Sequence, residues 1–261
     1  MTTDDQSAFP TLAGRLDFGA TREAYVANRT AYPDPVYDRL RAYGVGRPGQ
    51  LLLDVGAGTG LLSRPWLQRG VRVVALDVSP ELLDEYREAT PDVVLVQARA
   101  ERHPLADWAF DAVVAGQCRH WFERGRAAVD CLRVLRPGGV IAIVVEATEA
   151  IVREANPGWQ GGPGHGLYPF WLEDLSSAGF EVLETFSFDV SVAFTHQAWR
   201  GRMQASAGVR GSLGPEASAA VDPGSARCSA PDSRRNRSRC LTGSSPPSAE
   251  PPAPPMGRRP V

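Results

Sequence analysis

Short apolar runs alternate along the chain with segments in which apolar residues recur at helical spacing. Five apolar runs predict buried strands, at residues 51–55, 71–76, 93–96, 110–115 and 140–145. The segments between them predict helices at residues 61–68, 80–89 and 123–135. Strands that alternate with helices are joined by right-handed crossovers. The pattern therefore predicts an α/β fold with a doubly wound, mostly parallel sheet and helices on both faces.

Two regions flank this alternating core. Residues 21–43 have helical spacing, interrupted at Pro33 and Pro35, because proline disfavours helix in the residue before it. Residues 169–178 predict a further helix, and residues 180–192 predict one long strand. The chain before Thr21 is polar and irregular, so it predicts no regular element.

The last part of the chain differs in composition from the rest. From Asp222 to Val261 it contains nine prolines and seven serines but few large apolar side chains. Such a segment buries too little apolar surface to offset the entropy lost when it orders. We therefore expect a disordered tail over residues 222–261.

Composition and charge narrow the class of protein. The chain has 261 residues, a net charge of −2 and no lysine, so its 28 basic residues are all arginines. Seven of those arginines lie in the tail against three acids, which leaves the body more acidic than the whole. Because phosphate binding needs a basic face, nucleic acid is not the expected partner.

Membrane and metal classes are also not expected. No apolar run approaches the roughly 20 residues of a membrane-spanning helix, and the start of the chain is not patterned as a signal peptide. The four cysteines and four histidines lack the spacing of metal ligands or of a disulfide framework. The sequence thus predicts a soluble, cytoplasmic protein without a metal or a membrane partner.

The candidate chemistry begins with a glycine loop. Gly56, Gly58 and Gly60 follow the first predicted strand, and glycines in that place let a ligand approach the backbone. The dinucleotide fingerprint needs a glycine where this chain has Leu61, and a P-loop needs a lysine. Asp54, at the end of the strand, would repel a pyrophosphate but suits an ammonium or sulfonium group. The loop therefore predicts a site for a cationic nucleoside without phosphates.

A second acid supports this interpretation. Asp77 ends the second predicted strand about 20 residues past the first glycine, where an acid holds ribose hydroxyls in doubly wound folds. Asp77 could instead cap the next helix, but Ser79 before Pro80 can take that role.

These residues resemble the class I S-adenosylmethionine-dependent methyltransferases that act on small molecules, whose first motif is D-x-G-x-G-x-G. The similarity extends from about Tyr25 to Phe194 and includes residues 110–114 and 132–139. The spacing of Tyr25 and Arg29, and the tract His120-Trp121-Phe122, are similar to the trans-aconitate methyltransferase subgroup. The resemblance implies a Rossmann-like methyltransferase fold.

The resemblance also implies which residues hold the cofactor, S-adenosyl-L-methionine. Asp54 and the glycines would surround its methionine part, Asp77 would bind the ribose, and Gln117 would lie near the sulfonium. Val78 and the Ala100-Glu101 pair would flank the adenine. The implied cofactor-binding residues are Asp54, Gly56, Gly58, Gly60, Asp77, Val78, Ala100, Glu101 and Gln117.

Three features depart from the family pattern. Arg99 stands where many relatives have an acid for the adenine amino group, which leaves that role to backbone groups or Glu101. Pro65 lies in the helix after the loop and is expected to kink it.

The tail lacks the apolar run of a final antiparallel strand, so that strand is expected to be missing. We attribute this to a frameshift near residue 222, a hypothesis that resequencing tests; a genuine partner-binding tail is the alternative.

The implied reaction is the transfer of a methyl group to a small-molecule acceptor, which is a carboxylate, a hydroxyl or a carbon. In-line displacement mainly requires alignment in a water-poor pocket, and a hydroxyl or carbon acceptor also needs a base. His120 is the candidate base, with a structural imidazole as the equal alternative. The candidate substrate-binding residues are Tyr25, Arg29, Arg119 and Trp121. A solvent-facing position is the commoner alternative for either arginine, and His103 is also expected at the surface.

The expected organisation is a single domain between two irregular termini. A flexible N-terminus over residues 1–20 precedes a methyltransferase domain over residues 21–221 and the tail over 222–261. Within the domain, the core is expected at residues 45–146, with substrate-side elements at 21–44 and 147–221.

Two other functions stay open at this point. An NAD- or NADP-binding oxidoreductase is disfavoured by Leu61 and Asp54. A cofactor-binding protein without turnover would follow if the altered C-terminus damaged the domain. Neither the acceptor nor the oligomeric state follows from the residues, because this fold serves many acceptors.

Overall fold

A computed structural model describes residues 32–147, 169–192 and 234–244 of the chain. Side chains are described over 32–119, 121–145 and 171–187. The predicted N-terminus, Tyr25 and Arg29 lie outside these residues, as do the ends of the predicted tail.

One seven-stranded sheet organises the described residues, in the order β3-β2-β1-β4-β5-β7-β6. Strands β1 to β5 are mutually parallel, and β7 is antiparallel to both β5 and β6. The strands are β1 Leu51–Val55, β2 Arg72–Asp77, β3 Val94–Gln97, β4 Phe110–Gly116, β5 Leu135–Ala147, β6 Glu181–Val192 and β7 Arg234–Ser244. The prediction of a doubly wound, mostly parallel sheet is confirmed.

Helices cover both faces of this sheet. They are α1 Asp34–Ala42, α2 Arg64–Leu67, α3 Pro80–Ala89, α4 Arg124–Val134 and α5 Pro169–Ala178. A 3-10 turn, Arg119–Trp121, lies between β4 and α4. In the part of the chain that is described, no helix is long and apolar enough to cross a bilayer.

Alternating strand residues supply two apolar cores. Leu53, Val113 and Ile143 point to one face, where α4 and α5 pack through residues such as Cys131 and Leu175. Their strand neighbours form the other core, with α1, α2 and α3 contributing Tyr37, Leu40, Trp66 and Tyr86. Because both faces are covered, the strands are near-continuous apolar runs, which is why the sequence pattern located them.

The helix after the glycine loop is shorter than expected. Residues 61–63 form turns, and α2 has only four residues. Pro65 lies in its first turn, where no intrahelical acceptor precedes the missing N–H. The predicted kink at Pro65 is therefore wrong, because there is no helix before the proline to bend.

Eleven residues of the predicted disordered tail form a strand. Arg234–Ser244 forms β7, inserted between β5 and β6. Its register pairs Leu241 with Ile143 on one side and with Thr185 on the other. The expectations of a missing final strand and of disorder at these residues are wrong. Two flanking strands supply the backbone partners that the segment's own composition does not signal. The domain boundaries and the frameshift remain predictions.

In the loop before β1, the backbone passes so close to a tryptophan ring that only glycine fits. Gly46 has a φ of +83°, and a Cβ built on it would lie 2.1 Å from Trp66 Nε1. The Trp66 ring is held in place by the edge of Tyr37, with ring centroids 5.2 Å apart. Gly49 has the same φ of +83°, yet its Cβ would meet nothing within 4 Å.

We expect Gly46→Ala to lower the free energy of unfolding more than Gly49→Ala, measured by urea denaturation. Gly49→Ala has only the left-handed backbone penalty, about 1–2 kcal/mol. Gly46→Ala adds the displacement of Trp66, about 1–3 kcal/mol more. Equal losses for the two variants would contradict this role of Trp66.

Candidate functional site

The candidate residues gather at the carboxyl edge of the parallel strands. The sheet order reverses between β1 and β4, which makes this the topological switch point of the fold. The glycine loop follows β1, Asp77 ends β2, and Gln117 follows β4. Ligands of open α/β sheets bind in the crevice at such a point.

The glycine loop has a left-handed backbone at all three glycines. The φ angles of Gly56, Gly58 and Gly60 are +68°, +55° and +78°. A Cβ at Gly60 would lie 2.3 Å from the Tyr86 ring, and one at Gly56 would lie 2.8 Å from Cys118 Sγ. At Gly58 the nearest atom would be 3.9 Å away. Gly56 and Gly60 therefore serve packing beneath the loop, whereas Gly58 leaves room beside the backbone.

Asp77 ties the loop to the end of β2. The Gly58 N–H donates to Asp77 Oδ2 at 2.8 Å, and the Ser79 N–H donates to Oδ1 at 2.9 Å. Ser79 caps α3, since its hydroxyl accepts from the Leu82 N–H. Burial raises the pKa of Asp77, and the backbone donors oppose that rise. Each oxygen keeps a lone pair for a further donor.

Asp54 lies beneath the loop, on the face that carries Tyr37 and Tyr86. It is 1% exposed, and no described residue makes a well-formed hydrogen bond to either of its carboxyl oxygens. The pKa of Asp54 is raised to about 7, chiefly by burial; the Ser63 hydroxyl opposes the rise, and the charge of Asp77 adds to it. An unpaired buried carboxyl is unfavourable unless something compensates it, so its presence here calls for a function.

The next group lies in the loops after β2 and β3. Val78 is 55% exposed at the carboxyl edge, whereas Ala100 is buried in the core. Glu101 Oε1 accepts from the Glu123 N–H at 2.7 Å, and Oε2 accepts from Arg99 Nε at 3.2 Å. Both oxygens of Glu101 are thus engaged with the protein itself, which limits its availability to a base edge.

The segment after β4 packs against the loop. Gln117 has a φ of +58°, an unusual value outside glycine, and its N–H donates to the Val144 carbonyl. Cys118 Sγ donates to the Val55 carbonyl at 3.0 Å. Trp121 is half-buried against the core. His120 lies in the 3-10 turn, but its side chain is outside the described residues.

Arg119 does not face solvent, which corrects one of the two interpretations offered for it. It is 3% exposed and donates to the Arg124 carbonyl and to Asp174 Oδ2, the latter at 3.3 Å. The acid comes from α5, far along the chain, so the sequence pattern did not reveal the pair. Its guanidinium therefore ties the 3-10 turn to α5, and little of the Arg119 surface is free to bind a substrate.

His103 is also buried, contrary to expectation. Its Nε2 lies 2.9 Å from Asp130 Oδ2, although the angles do not meet the criteria of a hydrogen bond. Burial lowers the pKa of His103, and Asp130 opposes that shift. Arg133 completes the group, since its Nε donates to Asp130 Oδ1 at 2.7 Å. This cluster joins the β3–β4 loop to α4.

Ser63 and Tyr86 also belong to this site, although no sequence pattern pointed to them. Their hydroxyl oxygens are 2.8 Å apart beneath the glycine loop. Tyr37 donates from the same side to the Leu62 carbonyl at 3.2 Å. The helical spacing of Tyr86 signalled only a core residue, because a hydroxyl partner in another element has no local sequence signature.

The profile of the methyltransferase domain family matches residues 53–143, which contain the whole edge just described. Residues 53–143 of this chain thus match a methyltransferase domain. The predicted family resemblance is thereby confirmed, while the trans-aconitate subgroup remains a prediction.

Curated relatives agree with the domain but are matched only in part. An uncharacterized methyltransferase of Mycobacterium tuberculosis is 42% identical over 129 residues, 49% of this chain and 51% of that protein. A malonyl-[acyl-carrier protein] O-methyltransferase of Serratia marcescens is 36% identical over 155 residues, 59% of this chain and 56% of that protein. The chain thus spans about half the length of the curated relatives that it matches.

Solved structures show the same fold. A chain from Anaeromyxobacter dehalogenans, assigned as a type II methyltransferase, has a TM-score of 0.60 at 22% identity, over 84% of this chain and 97% of that one. The [4+2]-cyclase SpnF has a TM-score of 0.52 at 24% identity, over 87% of this chain and 81% of that one. Because one fold carries different named reactions, the likeness shows the fold alone.

The residues of the methyltransferase domain fit a cationic cofactor without phosphates. Asp54 offers a buried carboxyl with no partner among the described groups, and Asp77 retains acceptor capacity beside Gly58. A pyrophosphate would instead lie close to two carboxylates. Leu61 stands where a dinucleotide site needs its last glycine.

We expect Asp54→Asn to stabilise the domain at neutral pH but not in acid. The pKa of Asp54 rises on folding from 3.8 to about 7. The folded state therefore binds its proton more tightly, and the penalty of ionising Asp54 is absent below about pH 4, grows up to about pH 7 and is constant above. In urea denaturation the variant should gain about 1–4 kcal/mol at about pH 8 and little at about pH 4. An equal gain at both pH values would contradict the buried carboxyl.

Proposed function

We propose that the chain transfers a methyl group from S-adenosyl-L-methionine to a small-molecule acceptor. The observation that carries this proposal is the glycine loop between two buried acids, where the Asp54 carboxyl has no well-formed hydrogen bond among the described residues. The family of the domain supports it. A fold neighbour, the phosphoethanolamine N-methyltransferase 2 of Haemonchus contortus, was solved with S-adenosylhomocysteine, and it has a TM-score of 0.52.

Two groups of residues would hold the cofactor. Gly58 would lie against its methionine part, because the space beside that glycine is open. Asp77 would accept from the ribose hydroxyls with the lone pairs that the Gly58 and Ser79 amides leave free. Asp54 would act on the cationic groups through the loop, since it is too buried for contact without a loop shift.

The adenine subsite has weaker support at one residue. Val78 is exposed and would pack on the adenine face, with Ala100 supplying backbone at its edge. Glu101 is engaged with the Glu123 N–H and with Arg99. We therefore assign recognition of the adenine amino group to backbone groups.

When bound, the cofactor supplies a methyl group already activated by its sulfonium. The residues of the chain then have to align the acceptor and exclude water. Gln117 would lie near the sulfonium, held by its unusual backbone conformation at the end of β4. His120 would accept a proton from a hydroxyl or carbon acceptor, whereas a carboxylate acceptor needs no base.

The acceptor is proposed only as a class. Relatives are named for different acceptors, malonyl-[acyl-carrier protein] in Serratia marcescens and demethylmenaquinone in Renibacterium salmoninarum. Tyr25, Arg29, Arg119 and Trp121 remain the proposed substrate-side residues, with Arg119 the weakest because Asp174 already pairs with it. A cytoplasmic location also remains a proposal.

A binding protein without turnover is the second candidate. The curated relatives are matched over only about half of their length, which supports this candidate. Cofactor binding without methyl transfer to any acceptor would favour this candidate.

We expect calorimetric titration to show binding of S-adenosylhomocysteine and no binding of NADH. The loop and its two acids suit the first ligand, while the pyrophosphate of the second would meet Asp54 and Asp77. A methyl-transfer screen that starts with small polycarboxylates would follow. Binding of NADH alone would overturn the proposal in favour of an oxidoreductase.

A matched pair of surface variants tests the adenine subsite. We expect Val78→Ser to weaken binding of S-adenosylhomocysteine about five- to tenfold, because apolar contact worth roughly 1 kcal/mol is lost. Val94→Ser is the control, since Val94 is 56% exposed, nearly as much as the 55% of Val78, but lies at the opposite end of the sheet. Isothermal titration measures both, and equal effects would argue against the placement.

A further inference from the structure

Asp54 is 1% exposed, and neither of its carboxyl oxygens has a hydrogen bond of acceptable geometry among the described residues. The described groups that shift its pKa include no compensating cation. Those contributions come from burial, from Ser63 and from Asp77 on β2. The Asp54 charge in turn raises the pKa values of Tyr37 on α1, Tyr86 on α3 and Cys118 after β4. All three are neutral at physiological pH.

Two arginines lie near this face of the sheet, but they shift the pKa values of the tyrosines and not that of Asp54. Arg69 and Arg64 lower the pKa of Tyr37, and Arg64 also lowers that of Tyr86. Arg69 is paired with Asp34 at 2.8 Å on the surface. Asp54 therefore faces acidic and neutral groups across its enclosure.

A carboxylate in such an enclosure is unfavourable, because its ionised form has lost water and, among the described groups, only the Ser63 hydroxyl opposes that loss. Taking up a proton relieves that cost. A cation placed over the glycine loop relieves it as well, and the field between charges is strong where water is excluded. Proton and cation thus compete to compensate one carboxyl.

We propose that at mildly acidic pH Asp54 is protonated in the cofactor-free chain and releases that proton when a cationic nucleoside occupies the glycine loop. The O–H bond of the carboxyl breaks, the electron pair stays on Asp54, and the proton passes to the solvent. This inference rests on the proposed function. Cofactor affinity then rises with pH, by at most about tenfold per pH unit, and levels off above about pH 7.

Ser63 is the positioning residue of this device. Its hydroxyl lowers the pKa of Asp54 and lies 2.8 Å from the Tyr86 hydroxyl. Removing it with Ser63→Ala withdraws a donor that favours the charged carboxyl. The midpoint of the affinity profile should therefore move to higher pH, a shift that a merely structural role of Ser63 would not produce.

The test is calorimetric titration with S-adenosylmethionine at about pH 6, in two buffers that differ in ionisation enthalpy. At this pH the amino group of the cofactor is protonated, so it takes up no proton on binding. We expect release of close to one proton per cofactor by the wild-type chain. Asp54→Asn is the control, and it should bind with no release.

The outcomes separate this inference from the function on which it rests. If neither S-adenosylmethionine nor S-adenosylhomocysteine binds, the proposed function fails. Binding whose heat is the same in both buffers overturns proton release while the function stands. If Asp54→Asn does not fold, the Ser63→Ala profile decides, and an unshifted midpoint there overturns the inference.

Discussion

The hydrogen bond from the Gly58 amide to Asp77 Oδ2, 2.8 Å long, joins the glycine loop to the end of the second strand. It can form only because β1 and β2 are parallel neighbours in register, with Val55 opposite Leu76. The loop amides of Gly56 and Ala57 donate to the Leu76 carbonyl, which reinforces the same connection. The geometry of the candidate site thus depends on strand pairing, because the loop is hydrogen-bonded to a strand of the sheet.

Arginines anchor the opposite end of the sheet. Arg133 on α4 donates to Asp130, Asp107 and the Leu105 carbonyl, and the bonds to the two carboxylates raise the pKa of its guanidinium. Arg136 pairs with Asp111, whose other oxygen accepts from the Leu51 N–H at the start of β1. A planar guanidinium makes several such bonds at once, which suits a chain that uses no lysine. These ties connect α4 and β5 to the β3–β4 loop and to the start of β1.

Asp54 and Asp77 are similar residues at one edge of the sheet, but their surroundings give them different functions. Asp77 and Asp54 are both buried, yet only Asp77 has amide donors to stabilise its charge. The difference follows from position, since Asp77 ends its strand beside two turning amides whereas Asp54 lies within its strand. One acid is therefore prepared to hold a ligand, and the other is sensitive to any charge placed nearby.

The sequence by itself determined the strands of the parallel sheet, because each is a local apolar run between glycine, proline or polar breaks. It also located the glycine loop, the two acids and the cap at Ser79. Only the tertiary structure decided that Arg119 pairs with Asp174, that His103 is buried beside Asp130, and that Ser63 meets Tyr86. It alone made β7 from Arg234–Ser244, through partners in β5 and β6. The physical reason is the same in each case: burial and pairing depend on groups far along the chain, whereas periodicity and turn chemistry are written in neighbouring residues.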